Sequence, residues 1–205
     1  MVSTNSVSAV KGKLAGYALI KRGGHTGTVS ADTDWEEEGF LPFALINNEN
    51  GVGFSRSADS TKITGWGEQD IDEIWSNNAV TTTLNIFSFL DFETLKTLFG
   101  ADNVTRVGTV TTVSGKGISS AEKNSIVLIG QDKKGNEVIF YAALAAVDPN
   151  FEWTWNDTDP VEIAAVFNLY KDPNTAEYFK MFIEGIEETV IPGNTARALS
   201  TSTED

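Results

Sequence analysis

The sequence predicts a mainly β fold carrying one short α-helix at about residues 91–100. Three observations predict it. Along Val161–Tyr170, Val161, Ile163, Ala165, Phe167 and Leu169 fall on one face, and Glu162, Ala164, Val166, Asn168 and Tyr170 on the other. That period of two marks a strand with one face in a core. Ala79–Leu90 (AVTTTLNIFSFL) is dense in β-branched and aromatic residues, which favour strands. It runs into a segment where Asp91 can cap a helix, Phe92, Leu95, Leu98 and Phe99 share a helical face, and Gly100 ends it. A helix of about two turns does not stand alone, so its apolar stripe must pack on a sheet.

The other elements follow in order. Residues 1–15 have little periodicity and read as an N-terminal arm, followed by a β domain over residues 16–185. Tyr17–Ile20 is a short strand stopped by Gly23-Gly24, and residues 25–38 read as a polar loop ending in an acidic run. Gly39–Ile46 is apolar, but Pro42 makes it an edge strand or an irregular segment. Asn47–Gly51 is a turn, Val52–Ile63 is β-like, and Glu68–Glu73 reads as an acidic connector. Asn103–Gly117 is Val/Thr-rich, Ser125–Ile129 is a buried type of strand, and Gln131–Asn136 is a hairpin turn. It leads into a long run from Glu137, joined to the Val161 run by an acidic connection bearing Trp153 and Trp155. Ala176–Ile183 is ambiguous between strand and helix, and residues 186–205 read as a flexible C-terminal tail.

Composition narrows the function. With 205 residues, 40% of them hydrophobic, the chain can build one well-packed domain. It contains no cysteine, so disulfides, thiolate nucleophiles and zinc ribbons are excluded. The N-terminus lacks the apolar core of a signal peptide and no apolar run approaches a membrane span, so a soluble protein made in a cytoplasm is expected. Fifteen Lys and Arg against 29 Asp and Glu give a formal charge of −14. Gripping duplex DNA requires cations that displace phosphate counterions, so this chain should not hold nucleic acid. An acidic wall can still contain a polyanion without binding it.

No catalytic, cofactor or metal site is expected. His25 is the sole histidine and sits beside Gly23-Gly24 in the polar loop, where it reads as a surface residue. The Gly-x-Gly pairs at positions 51, 65 and 115 never extend into a phosphate-binding motif and read as turn glycines. The carboxylates at Asp70, Asp72 and Glu73, and at Asp157 and Asp159, lack calcium-loop spacing. Trp153 and Trp155 share a face and suit an interface or core better than sugar stacking. The sequons at Asn103 and Asn156 are set aside, because nothing in the chain points to secretion.

In combination, three segments resemble the major tail proteins, or tail tube subunits, of long-tailed bacteriophages, especially those of actinobacteria. They are GFLPFALINNENGVGFSRSADSTKITGWGE, AVTTTLNIFSFLDFETLKTLFG and EVIFYAALAAVDPNFEWTWNDTDPVEIAAVFNLYKDP, together spanning about Gly39–Asp172. The resemblance implies a β-sandwich or partial barrel with one flanking helix, whose hexameric rings stack into a tube that conducts DNA without binding it. It implies a structural virion protein without enzymatic activity or membrane contact, made in the host cytoplasm. Its partners would be copies of itself and the tape-measure, tail terminator and baseplate or tail-tip proteins. The semi-apolar back faces of the closing strands would be covered by neighbouring subunits. Phe92, Leu95, Leu98 and Phe99 are expected to dock the helix on the sheet, while Glu162, Asn168, Trp153 and Trp155 are assigned to the lumen or a subunit interface. Residues 101–123 fit the family pattern only loosely. The alternative is a carbohydrate-binding β-sandwich module using Trp153 and Trp155, with an acid-catalysed hydrolase a remote third.

Overall fold

The computed structural model describes residues 11–12, 17–47, 49–64, 70–88, 91–115, 122–131, 134–152 and 162–185. It is mainly β: β1 (Lys11–Gly12), β2 (Tyr17–Arg22), β3 (Leu41–Ile46), β4 (Val52–Thr64), β5 (Asp70–Ser88), α1 (Phe92–Phe99), β6 (Val104–Val107), β7 (Val110–Val113), β8 (Asn124–Gln131), β9 (Glu137–Val147), β10 (Ile163–Tyr170) and β11 (Lys180–Ile183). Strands β2, β3, β5, β10, β9 and β8 pair antiparallel in that order, and β8 returns to β2. A barrel of six strands therefore closes within one chain, with β1, β4 and β11 added outside the ring of six. Closure matters because it leaves none of these strands with an exposed edge along the ring.

The alternation read along β10 is realised: Ile163, Ala165, Phe167 and Leu169 point into the barrel. Facing them are Ile20, Phe43, Leu84, Ile86, Ile126 and Ala142. Phe43 and Phe167 meet edge to face at 6.1 Å between centroids. The helix closes the end of the barrel where β9 finishes. Leu98 enters the barrel core, and Phe99 packs against it and against Phe151, 5.6 Å between centroids. Asp91 caps the helix by accepting from the Thr94 amide at 3.1 Å, and Gly100 ends it at φ 88°. Thr94 is itself wholly buried, and its hydroxyl accepts the Ala44 amide at 2.8 Å.

That last bond explains Pro42. The segment is not a sheet edge, since β3 lies between β2 and β5, but it is irregular, with register shifts against both neighbours. Yet β3 pairs with β5 only at Leu45 and Ile46, so position 42 is a local edge, where a residue without an amide proton is tolerated. Ala44 adopts φ 55° just before that pairing begins, and its amide turns to the helix instead of a strand.

Residues 25–38 differ most from the sequence reading. They and Phe40 fold back over the outer face of β2, β8 and β9, where Val29, Trp35 and Phe40 cover Leu19, Val127, Ile139, Tyr141 and Ala143. Trp35 stacks on Tyr141 at 5.6 Å and meets Phe40 edge-on at 5.3 Å. Asp34 holds the bend by accepting the amides of Glu36 and Glu37. The apolar back face of β9 is thus covered by the chain's own segment rather than by a neighbour. The acids of this segment face out while its aromatics face in, which is why it reads as a plain polar loop.

Two boundaries also move. Of the acidic stretch expected as a connector, Asp70–Glu73 form the start of β5, with Lys62 opposite Glu73. Opposite charges across a strand pair support it where apolar content is low. Residues 104–113 form an isolated hairpin, β6–β7, of which Val104 is buried against the helix side and Val107 is 81% exposed.

Truncating Leu98 to Ala removes the side chain that plugs the barrel and should lower the unfolding free energy by about 2–5 kcal/mol. Val107→Ala, on the exposed hairpin, should stay within about 0.5 kcal/mol of the parent. Urea unfolding followed by circular dichroism measures both, and equal effects would contradict this assignment of the core.

Candidate assembly surface

Strand β5 is 19 residues long, but the barrel uses only part of it. Its pairing with β10 stops at Val80, while its pairing with β4 continues from Val52–Leu84 out to Thr64–Asp70. Residues 57–64 and 70–79 therefore form a ribbon of two strands beyond the barrel, about 25 Å long at roughly 3.3 Å per residue. Register shifts fall at Ser57/Asp59 and at Ile63/Thr64, where extra residues sharpen the local twist. Ile63 and Ile74 lie on one face of this arm and are 42% and 53% exposed. At its root, Tyr178 donates to the Asn78 carbonyl at 3.1 Å.

The end of the barrel opposite the helix carries a second apolar feature. Phe54 and Phe140 are 4.6 Å apart and Phe140 stacks on Phe179 at 5.2 Å. Met181 and Ile183 sit opposite Phe140 and Val138, so they continue the inner face past the closed ring into solvent. On the outer pleat where β5 pairs with β10, by contrast, Thr81, Thr83, Asn85, Ala164, Val166 and Asn168 are uncharged.

The predicted site residues divide accordingly. Leu95 and Leu98 are buried on the helix, Phe99 is half-buried against the barrel core, and Phe92 lies under the Lys96 ammonium, 4.2 Å from its ring centroid. Asn168 is on the outer pleat of β10. Glu162 instead accepts the side-chain amides of Asn47 and Asn50 at 2.9 and 2.8 Å, tying the start of β10 to the β3–β4 turn. Trp153 and Trp155 fall outside the described residues, as do the termini 1–10 and 186–205. Of the N-terminal arm, Lys11 and Gly12 pair with Gln131 and Gly130.

His25 is not a surface residue. Its side chain is 2% exposed, its Nδ1 lies 3.1 Å from the Tyr141 hydroxyl and its Nε2 lies 2.9 Å from a Glu38 carboxylate oxygen. Its amide donates to Ser125 Oγ at 2.6 Å, and Ser125 donates to the Ala143 carbonyl. This network fastens the segment 25–38 to β8 and β9. The clue in the sequence is Gly27, because a Cβ there would lie 2.7 Å from the His25 ring. Burial, followed by the nearby Asp172 charge, pushes the Tyr141 phenol up to about 12. A cleft of about 370 Å³ opens beside Tyr141, between residues 26–29 and the turn 172–180. Its Asp172 carboxylate is occupied by the Asn174 amide and the Thr175 hydroxyl.

A second polar knot joins β2 to the helix. Arg22 Nε donates to Glu93 at 2.9 Å and Nη1 to Glu122 at 3.1 Å, while Nη2 reaches the Glu93 carbonyl and Thr97. Partial burial raises the Glu93 pKa, but the hydrogen bond and charge of Arg22, then those of Lys96, outweigh it and leave the carboxyl below its ordinary value.

Among the described residues, no group of three or more His, Cys, Asp or Glu is placed to hold a metal ion. No protein-family model matches the chain, and no curated protein matches it. The surface presents an arm of two strands, an apolar rim and, where β5 pairs with β10, a sheet face without charged side chains.

Two titrations check the electrostatics. One of the four tyrosines should ionise near pH 12 rather than 10 in an absorbance titration, and Tyr141→Phe should remove that component. A raised phenol pKa stabilises the fold below pH 10, and that stability is lost as pH climbs from 10 to 12. Glu93, with its lowered pKa, stabilises above the ordinary value of 4.5 and loses the effect as pH falls below it. Glu93→Gln should therefore flatten the acid limb of the stability profile without shifting the alkaline one.

Proposed function

We propose that this chain is a structural subunit that assembles with copies of itself into stacked hexameric rings, forming a phage tail tube through which DNA passes. The observation that carries the reading is the β4–β5 arm. A ribbon of two strands is marginally stable in water, and this one runs about 25 Å past the barrel with Ile63 and Ile74 uncovered. Its outer edges present backbone donors and acceptors that a neighbouring strand would satisfy. The chain closes its own barrel, so among the described residues the arm is the longest stretch of strand with open edges to pair with neighbours.

The charge supports the same reading. At −14 the chain has no electrostatic grip on phosphate, which suits a conduit that must release what it carries. The sequence resemblance over Gly39–Asp172 supplies the ring-and-tube geometry. Tape-measure, terminator and tail-tip proteins would then be its partners at the ends of the tube.

Negative-stain electron microscopy of the purified chain should show rings or tubes of uniform width. Replacing residues 58–78 by Asn-Gly joins Ser57 to Ala79, which already pair, through a turn that suits a tight hairpin. The shortened protein should keep the β signature of the barrel and form no tubes. Tubes from the shortened protein would remove the arm from the account. A dispersed parent monomer retained on a polysaccharide column would replace this function with carbohydrate binding.

A further inference from the structure

Resting on the assembly reading above, we propose that the outer face of β4, β5 and β10 is the surface on which a second copy of this chain seats. Three facts meet there. The register aligns Ser55, Thr81 and Asn168 in one row and Gly53, Thr83 and Val166 in the next, all on the pleat opposite the core residues Val80, Leu84 and Phe167. Over Gly53–Ser57 of β4, Ala79–Asn85 of β5 and Ala164–Asn168 of β10, no charged side chain projects from this face. The same pleat of β4 continues past Asp59 into the arm and reaches Ile63, opposite Asp72, so the uncharged part of the face adjoins the arm.

The charge decides the occupant. Two copies at −14 repel one another, and a contact made through acid-bearing surface would also strip water from those acids. The segment 25–38 is such a surface, with Asp32, Asp34, Glu36 and Glu37 exposed on it. The β4–β5–β10 face is where like-charged copies can meet without burying a charge, as the cores of protein interfaces do. Its Ser, Thr, Ala and Val side chains lose little rotamer freedom on burial, and its hydroxyl and amide groups can hydrogen-bond across the contact.

Absence of cysteine makes a direct test available. Ala164→Cys and Ser55→Cys each place one thiol on the face, and Glu37→Cys places one on the acidic segment as a control. Maleimide labelling rates are measured on the full chain, dispersed and after assembly, with the fold of each variant checked by circular dichroism. In the assembled state the two face thiols should slow by about tenfold or more while the control changes little. Loss of assembly in both face variants, with assembly retained by the control, would also support the proposal. Assembly with fully reactive face thiols overturns it and leaves the assembly reading standing. Protection already present in the dispersed chain overturns it in favour of cover by the chain's own residues. Protection in a small oligomer that never forms tubes upholds the face and overturns the tube. A chain that stays monomeric at every concentration overturns both.

Discussion

Backbone hydrogen bonding sets the plan of this molecule. A buried strand needs partners on both edges, and the six barrel strands meet that need by closing on one another. They are unequal in length, however. β5 has 19 residues and β10 has 8, so closure saturates one end of β5 and leaves the other with β4 alone. The core, the helix plug and the segment laid over β9 belong to the closed part. The arm belongs to the part that closure cannot satisfy. A molecule divided in this way is stable as a unit and still has an edge to give.

Charge partitions along the same line. The acids of residues 32–38 cover an intramolecular core and face water, and the single histidine beneath them is committed to Glu38 and Tyr141. The strip from β10 across β5 and along the β4 pleat begins uncharged, and its first acid is Asp59, where the arm leaves the barrel. A polyanion that self-associates needs such a division, because long-range repulsion is tolerable only where the contact itself is free of like charges. In the proposed tube, the same acids would keep DNA from adhering.

Much of the closed part was legible in the sequence. The alternation of Ile163, Ala165, Phe167 and Leu169 gave the inward face of β10 because a period of two has only one structural meaning at that length. Asp91 and Gly100 bracketed the helix because capping and left-handed backbone are local chemistry. Three features were not legible. The cover over β9 is built from Val29, Trp35 and Phe40, spaced too irregularly to show a period. The buried His25 depends on Ser125 and Tyr141, 100 and 116 residues away. The start of β5, Asp70–Glu73, is acidic and pairs only with β4, so its composition points to a connector. The role of Asn168 was visible as an outward position, whereas Glu162 was claimed by Asn47 and Asn50 for reasons only the fold supplies.

The central claim is that the arm completes its hydrogen bonding in another copy. Amide hydrogen exchange of residues 57–64 and 70–79, compared between the dispersed chain and its assembled form, addresses it most directly. The account predicts exchange within the arm that is fast in the dispersed chain and strongly slowed on assembly, while barrel amides such as those of β9 are slow in both. Arm amides that exchange equally fast in the assembled form, or that are already as protected as the barrel in the dispersed chain, would contradict it.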